Sequence, residues 1–204
     1  MASSSSLVVG CLAAILLSAC TSSSPPTAFE TVPSATESRT TSASGIPAPT
    51  PTPTWSEEQA AAVEAVDAYW AAIGRIEVNP AGFSEAEMQA ILGKVAGPEV
   101  VAANVGSYLG LKKRGFRYDG TAVALTTKAS EPSTVSYGVE VFVTRCVDQR
   151  GLRVVDASGV EVSEEDLGFR VPDFNLRQYT VVRTEDSDAF IVYGLDPAKG
   201  ECGP

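Results

Sequence analysis

The chain contains no histidine, and this limits the chemistry that its side chains can perform. Ser-His and Cys-His catalysis are excluded, so any general base must be a carboxylate or a lysine. The sequence also lacks the GxGxxG and P-loop nucleotide motifs and the GxSxG nucleophile elbow. We therefore expect no cofactor and no catalytic residue of these classes.

Around position 140 the residues follow the alternating pattern of a β-strand, and this strand contains side chains that could line a pocket. Side chains alternate between the two faces of a strand, so Tyr137 shares a face with Val139, and Glu140 lies on the other. The more apolar face should point inward, which turns Glu140 toward solvent. A tyrosine in a strand is more often core than catalytic. We take Tyr137, together with Trp70 from the first predicted helix, as candidate pocket residues.

An apolar run of eleven residues, LVVGCLAAILL, occupies positions 7–17 and is followed by Ser18-Ala19-Cys20. It has the length of a signal-peptide core and is too short to cross a hydrocarbon layer of about 30 Å. The sequence LSAC at 17–20 resembles the bacterial lipobox. That resemblance implies a lipoprotein signal peptide at 1–19 and a diacylglyceryl group on Cys20. A chance cysteine in an ordinary signal peptide is the alternative, and the start, MASSSSL, lacks the usual positive charge.

Residues 20–54 form a predicted disordered linker that begins at the lipidated Cys20. Serine, threonine and proline dominate the segment, and it has too few large apolar residues to bury a core. The linker would hold the following domain away from the outer face of the cell membrane. The formal charge of −10 argues against nucleic acid as a partner, because phosphate binding needs a basic surface.

Residues 55–204 are the length of one domain, and they begin with helix signals. Ser56 with Gln59 and Ser84 with Glu87 each form a capping box, and Gly97-Pro98 begins a third helix. The first helix has apolar residues at a spacing of three and four that predicts one buried face, with Gly74 near its end. The four residues of this face are Val63, Val66, Trp70 and Ile73.

The period of the pattern changes to two after Gly115, which predicts strands. These strands cover 116–128, 134–147, 152–156 with 160–163, 174–184 and 189–195. Helices followed by hairpin-linked strands predict an α+β domain, with N-terminal helices packed on a curved antiparallel sheet.

Three segments carry a family resemblance: FVTRCVDQRGLRVVDASGVEV at 142–162, AFIVYG at 189–194 and GEC at 200–202. They resemble the small secreted lipoproteins of actinobacteria that have an NTF2-like domain. The order of helices and strands is similar to the NTF2-like cone, the fold of ketosteroid isomerase and scytalone dehydratase. A cystatin-like sheet with fewer helices is the nearest alternative.

Cys146 ends a predicted strand, and Cys202 lies next to the C-terminus. Two cysteines of an exported domain usually form a disulfide, so we predict the pair Cys146–Cys202. A metal or catalytic pair is the alternative, but two cysteines without a histidine make a poor zinc site, and no C-x-x-C motif occurs. The acidic stretch 161–166 lacks the order of a calcium loop, so no metal site is expected.

These observations favour a non-enzymatic module of the cell envelope, anchored to the membrane by lipid, that binds an envelope protein or a small hydrophobic ligand or has a structural role. The alternative is an isomerase, dehydratase or hydrolase that acts on small molecules in the cone. A buried carboxylate with a raised pKa beside a tyrosine would favour the enzyme. We expect an apolar interior without carboxylates, in which Asp67, Glu140 and Asp148 do not line a pocket.

Replacing Cys20 tests the anchor. We expect Cys20→Ala to move the protein from the membrane fraction to the soluble fraction, because two or more acyl chains are needed for stable attachment. Cys11→Ala is the matched control and should stay with the membrane. Fractionation and intact mass are the measurements, and retention of the Cys20→Ala protein on membranes would contradict the lipoprotein prediction.

Overall fold

The computed structural model describes residues 54–203 of the chain. The predicted signal peptide, Cys20 and the linker up to residue 53 lie outside the described residues. The predicted domain at 55–204 lies within them except for its last residue.

The first part of the described region is helical. It contains α1 (Glu57–Glu77), a 3₁₀ turn (Pro80–Gly82), α2 (Glu85–Leu92) and α3 (Pro98–Arg114). Among residues 54–203, no helix is both long enough and apolar enough to cross a membrane.

Both predicted capping boxes are present and fix the starts of α1 and α2. The Gln59 N–H donates to the Ser56 hydroxyl at 3.3 Å, and the Ser56 N–H donates to the Gln59 side chain at 2.8 Å. Ser84 and Glu87 exchange the same two bonds at 3.3 and 2.7 Å. These bonds satisfy N–H groups that the first turn of a helix leaves unpaired.

The third helix starts where the sequence predicts, and of the two glycines at which the sequence allowed it to end, 110 and 115, it ends at the second. Pro98 is its first residue, where the missing N–H of proline removes no helical bond. Gly115 ends it with a φ of 71°, in the left-handed region that glycine adopts without a steric penalty. The basic run 112–114 occupies the last turn, where positive charge complements the helix dipole.

Strands dominate the rest of the described region. The seven strands are β1 (Arg117–Gly120), β2 (Val123–Ala129), β3 (Ser133–Val135), β4 (Gly138–Asp148), β5 (Leu152–Val155), β6 (Phe174–Thr184) and β7 (Ile191–Pro197). One short helix, α4 (Glu164–Leu167), lies between β5 and β6.

Two of the predicted strands are divided in the structure. The run 116–128 separates into β1 and β2, which belong to different sheets. The run 134–147 contains a turn before β4, and Gly138 at the start of that strand has a φ of 137°. A Cβ at Gly138 would collide with the carbonyl oxygen of Arg183 on the neighbouring strand, so only glycine fits there. The short helix α4 was not predicted.

The main sheet has five antiparallel strands in the order β2-β4-β6-β7, with β3 also paired to β4. β1 and β5 form a separate antiparallel pair. α1 packs on β2, β4, β6 and β7, and α3 packs on β7. The domain is therefore α+β, with helices packed against an antiparallel sheet, as predicted.

The core lies between α1 and the central strands. Val66 and Ile76 of α1 are fully buried, as are Val141 and Val143 of β4 and Val181 of β6. Three of the four predicted contact residues of α1 are buried, and the fourth, Trp70, is partly buried against the core. Each fully buried aliphatic side chain contributes about 1.5–3 kcal/mol, so this interface holds the domain together.

One charged side chain lies inside this core. Arg145 of β4 exposes 6% of its side chain, and its Nη2 donates to Asp67 Oδ1 of α1 at 2.7 Å. Asp67 is 63% exposed, so the pair connects the core to the surface. Removing one partner of such a pair is costly because it leaves an uncompensated buried charge.

The predicted disulfide is confirmed. It joins Cys146 of β4 to Cys202, with Cα atoms 5.4 Å apart and a sequence separation of 56. The C-terminal segment also contacts β6, since the Ala198 N–H donates to the Leu176 carbonyl at 3.2 Å and Gly203 lies against Phe174. The bridge therefore fixes the end of the chain to the middle strands of the sheet.

The double variant Cys146→Ser, Cys202→Ser tests the contribution of this bridge. We expect its free energy of unfolding to fall by about 2–4 kcal/mol, because the bridge restricts the unfolded chain over a long loop. Urea denaturation is the measurement, and wild-type protein under reducing conditions is the control. Two free thiols in the exported wild-type protein would overturn the assignment.

Candidate functional site

A cavity of about 890 Å³ opens between the helices and the sheet. Its walls come from the second half of α1, from α3 and from β6, and its rim from β1, residues 149–152 and residues 169–172. This volume lies within the range of roughly 300–1,000 Å³ that is typical of small-molecule sites.

Three glycines in helix interiors line this cavity. They are Gly74 of α1 and Gly106 and Gly110 of α3, and apart from adjacent residues and the local helix backbone, no atom lies within 4 Å of the position that a Cβ would occupy at any of them. Glycine in a helix interior is less favourable than alanine by about 0.5–1 kcal/mol. These residues leave space in the cavity wall at some expense to helix stability.

A chain of polar side chains crosses the cavity wall between α1 and α3. The hydroxyl groups of Tyr69 and Tyr108 lie 3.2 and 3.4 Å from Asn104 Oδ1. The Tyr108 hydroxyl also lies 3.2 Å from Glu77 Oε1. Asn104 is held in place by its own amide, which donates to the Val100 carbonyl at 2.7 Å. The tyrosines and Glu77 thus share one hydrogen-bond network.

A second polar contact joins α1 to the sheet. The Trp70 indole N–H donates to the Tyr179 hydroxyl at 2.9 Å. Tyr179 also packs edge-to-face on Tyr69, with ring centroids 6.3 Å apart. The indole of Trp70 is therefore held in a defined orientation on the cavity wall.

Burial changes the acidity of this network. It raises the pKa of the Glu77 carboxyl above its ordinary value, although the bond from Tyr108 and the charge of Arg177 act in the opposite direction. Burial also raises the pKa of Tyr69 to about 12 and raises the pKa of Tyr108. The tyrosines therefore remain neutral hydrogen-bond donors, while Glu77 takes up a proton more readily than an exposed glutamate.

The two candidate pocket residues lie in different places. Trp70 lines the cavity, and Tyr137 does not. The Tyr137 side chain is 49% exposed, its hydroxyl donates to Glu140 at 3.1 Å, and its ring stacks on Tyr193. Tyr137 lies in the turn between β3 and β4, and it does not belong to the inward face that the alternation predicted, because β4 begins one residue later.

The prediction of an apolar interior without carboxylates is wrong. Asp67, Glu140 and Asp148 do not line the cavity, but Glu77 does, beside Tyr108. A signal for Glu77 was present in the sequence. It lies four residues after Ile73 and seven after Trp70, on the same side of the helix, but the helix was expected to end near Gly74. The structure continues α1 through Glu77.

Acidic side chains of the stretch 161–166 bond to residues that are near them in the chain. Ser163 caps α4 by accepting from the Asp166 N–H at 3.1 Å, and its hydroxyl donates to the Asp166 carboxylate. Glu164 pairs with Arg170 at 3.3 Å. Within residues 54–203, no three acidic, cysteine or histidine side chains converge in a way that could hold a metal ion.

No protein-family model and no curated protein matches the chain. Among solved structures, the intermembrane space region of the chloroplast protein ARC6 is similar, at 10% identity and a TM-score of 0.47, over 71% of this chain and 97% of that one. A de novo designed β-sheet protein is similar at 18% identity and a TM-score of 0.31, over 70% and 92% of the two chains. Both scores are too low to support a functional argument.

Glu77→Gln tests the environment of the cavity carboxyl. Because the folded pKa of Glu77 is raised, the folded state binds its proton more tightly than the unfolded chain does. The resulting stability is fully present below the ordinary glutamate value of about 4.3 and is lost as pH rises through the folded value. Glutamine does not titrate and keeps an acceptor for Tyr108. We expect the variant to gain stability relative to wild type as pH rises from about 4 to 8.

Thermal unfolding across that pH range is the measurement. Glu64→Gln, on the exposed side of the same helix, controls for the loss of one negative charge. A variant that loses stability relative to wild type as pH rises would show that Glu77 prefers to be ionised in the folded protein.

Proposed function

We propose that the chain is a lipid-anchored, extracytoplasmic lipoprotein whose NTF2-like domain binds a small amphipathic molecule in the cavity without converting it. Three helices precede the strands, and α1 and α3 pack on the antiparallel sheet; this supports the NTF2-like assignment over a cystatin-like sheet, which has fewer helices. The sequence LSAC at 17–20 and the Ser/Thr/Pro-rich segment after it support the anchor and the location.

The observation that carries the proposal is the open cavity with its mixed lining. Apolar side chains such as Trp70, Ile73 and Leu195 line it together with the hydroxyl and carboxyl groups of the Glu77 network. Ligand sites typically combine an apolar surface with a few fixed polar groups that orient the ligand. The three wall glycines keep this space open although alanine would favour the helices.

A second candidate function is acid–base catalysis in the same cavity. Glu77, with its raised pKa and its bond to Tyr108, is the observation that favours it. The carboxyl would accept or donate a proton, and a neutral tyrosine would stabilise a developing oxyanion. Binding needs only the cavity, whereas catalysis also needs a reactive substrate atom held beside Glu77, so binding remains the first proposal.

Gly110→Leu tests the cavity as a binding site. Leucine favours a helix over glycine, so the variant should fold with at least wild-type stability while its side chain fills the cavity. We expect the affinity for the uncharged apolar dye Nile red to fall at least about tenfold, a change of roughly 1.4 kcal/mol. Fluorescence titration of full-length protein purified without its lipid is the measurement.

Ala102→Leu is the matched control, because it adds a similar side chain to an exposed position of the same helix. It should bind the dye as wild type does. Equal binding by wild type and Gly110→Leu would mean that the dye does not enter the cavity, and the proposal would fail. Incubation with a lipid extract separates the two functions, since a binder returns each molecule unchanged in mass and an enzyme does not.

A further inference from the structure

The cavity is positive in charge although the protein is acidic. The chain has a formal charge of −10, yet the charged residues that line the cavity are three arginines and one glutamate: Arg114, Arg170, Arg177 and Glu77. The excess acid of the protein therefore lies elsewhere. Such a distribution attracts anions into the cavity.

Two of the three arginines are committed to other groups. Arg114 donates to the Leu167 carbonyl at 2.9 Å and lies over the Phe116 ring. Arg170 pairs with Glu164 at 3.3 Å. Arg170 therefore shares its charge with Glu164, and the Arg114 guanidinium is directed at a backbone carbonyl and an aromatic ring.

Arg177 differs from these two. Its Nε donates to Asn175 Oδ1 at 3.3 Å, but in the part of the chain that the structure describes its two terminal nitrogens make no hydrogen bond and its guanidinium pairs with no carboxylate. Its charge nevertheless acts on Tyr69, Glu77, Tyr118 and Tyr179. Arg177 is thus an exposed cation that makes no ion pair within residues 54–203 and lies close to the polar network of the cavity.

The neighbour of Arg177 in the sheet makes this arrangement less favourable. Arg177 lies directly opposite Arg145 in the register of β4 and β6. Like charges directly opposite in an antiparallel pair are destabilising, and Asp67 on the surface compensates only Arg145. An anion bound to Arg177 would offset the repulsion.

We infer that the ligand of this cavity is an amphipathic monocarboxylate, whose carboxylate pairs with the guanidinium of Arg177 while its apolar body lies along Trp70 and Leu195. The planar fork of a guanidinium matches the two oxygens of one carboxylate. A single negative charge fits better than a phosphate because Glu77 lies in the same cavity. This inference rests on the proposed function, since it names the class of molecule that the cavity binds.

Trp70 provides the signal for the test, because it lines the cavity. Titrations use full-length protein without its lipid and with Trp55→Phe, so that the emission comes from Trp70 alone. Dodecanoate, 1-dodecanol and dodecyl phosphate are the probes, and they share one apolar chain. Arg177→Gln is the variant, and Arg183→Gln is the control on the same strand, at a position that does not line the cavity.

We expect dodecanoate to bind most tightly, Arg177→Gln to weaken it by about tenfold or more, and Arg183→Gln to leave it unchanged. Dodecanol should be insensitive to Arg177→Gln. Tighter binding of dodecanol or of dodecyl phosphate, or dodecanoate affinity that survives Arg177→Gln, would overturn the inference while leaving the cavity as a binding site. Failure of all three probes to bind would overturn the proposed function as well.

Discussion

The packing of α1 against the sheet is the constraint on which the rest of the structure depends. This helix contacts four strands of the main sheet as well as α2 and α3. Its inward side carries Val66, Trp70, Ile73 and Glu77 in sequence. Val66 and Ile73 lie in the apolar core, while Trp70, Ile73 and Glu77 line the cavity. The same packing therefore buries the core and positions the polar groups of the site.

Features that lower the stability of the domain are concentrated at one place. The glycines of the helix interiors, the half-buried carboxyl of Glu77 and the opposed arginines 145 and 177 all lie at the cavity or next to it. A domain with a net stability of about 5–15 kcal/mol tolerates only a few such features. Natural proteins depart from local rules mainly at functional sites, and this clustering agrees with a ligand site between the helices and the sheet.

The sequence predicted best those helices and strands whose first and last residues are determined by residues close to them in the chain. The capping boxes at Ser56 and Ser84 and the glycine at 115 set helix ends through bonds within a few residues, so the sequence contained the information. The bounds of β6, 174–184, also match the prediction, because the alternation of side chains within the strand is itself a local signal. The break near Gly120 was missed because it depends on the approach of residue 151, which is distant in sequence, and the turn before Gly138 was missed because residues 136 and 137 were taken as part of one continuous strand.

The site was less predictable than the fold. Trp70 was identified from its helix face, but Tyr137 was assigned to a pocket because a strand was predicted to run without a break from 134 to 147, and Tyr137 lies in the turn that interrupts it. Glu77 was missed because Gly74 was taken as the end of α1, when its role is to line the cavity. The polar network also joins Glu77 to Asn104 and Tyr108, which are 27 and 31 residues away in sequence, and periodicity carries no information about such contacts.

If the cavity is a binding site, it holds a small molecule while the protein is in its own membrane, and native mass spectrometry of protein gently extracted from those membranes can detect that molecule. We expect wild type to appear as a noncovalent one-to-one complex that dissociates to the processed chain on activation, and Gly110→Leu to appear as an empty chain. Wild-type protein that carries no bound molecule, or Gly110→Leu protein that carries the same one, would contradict this role of the cavity.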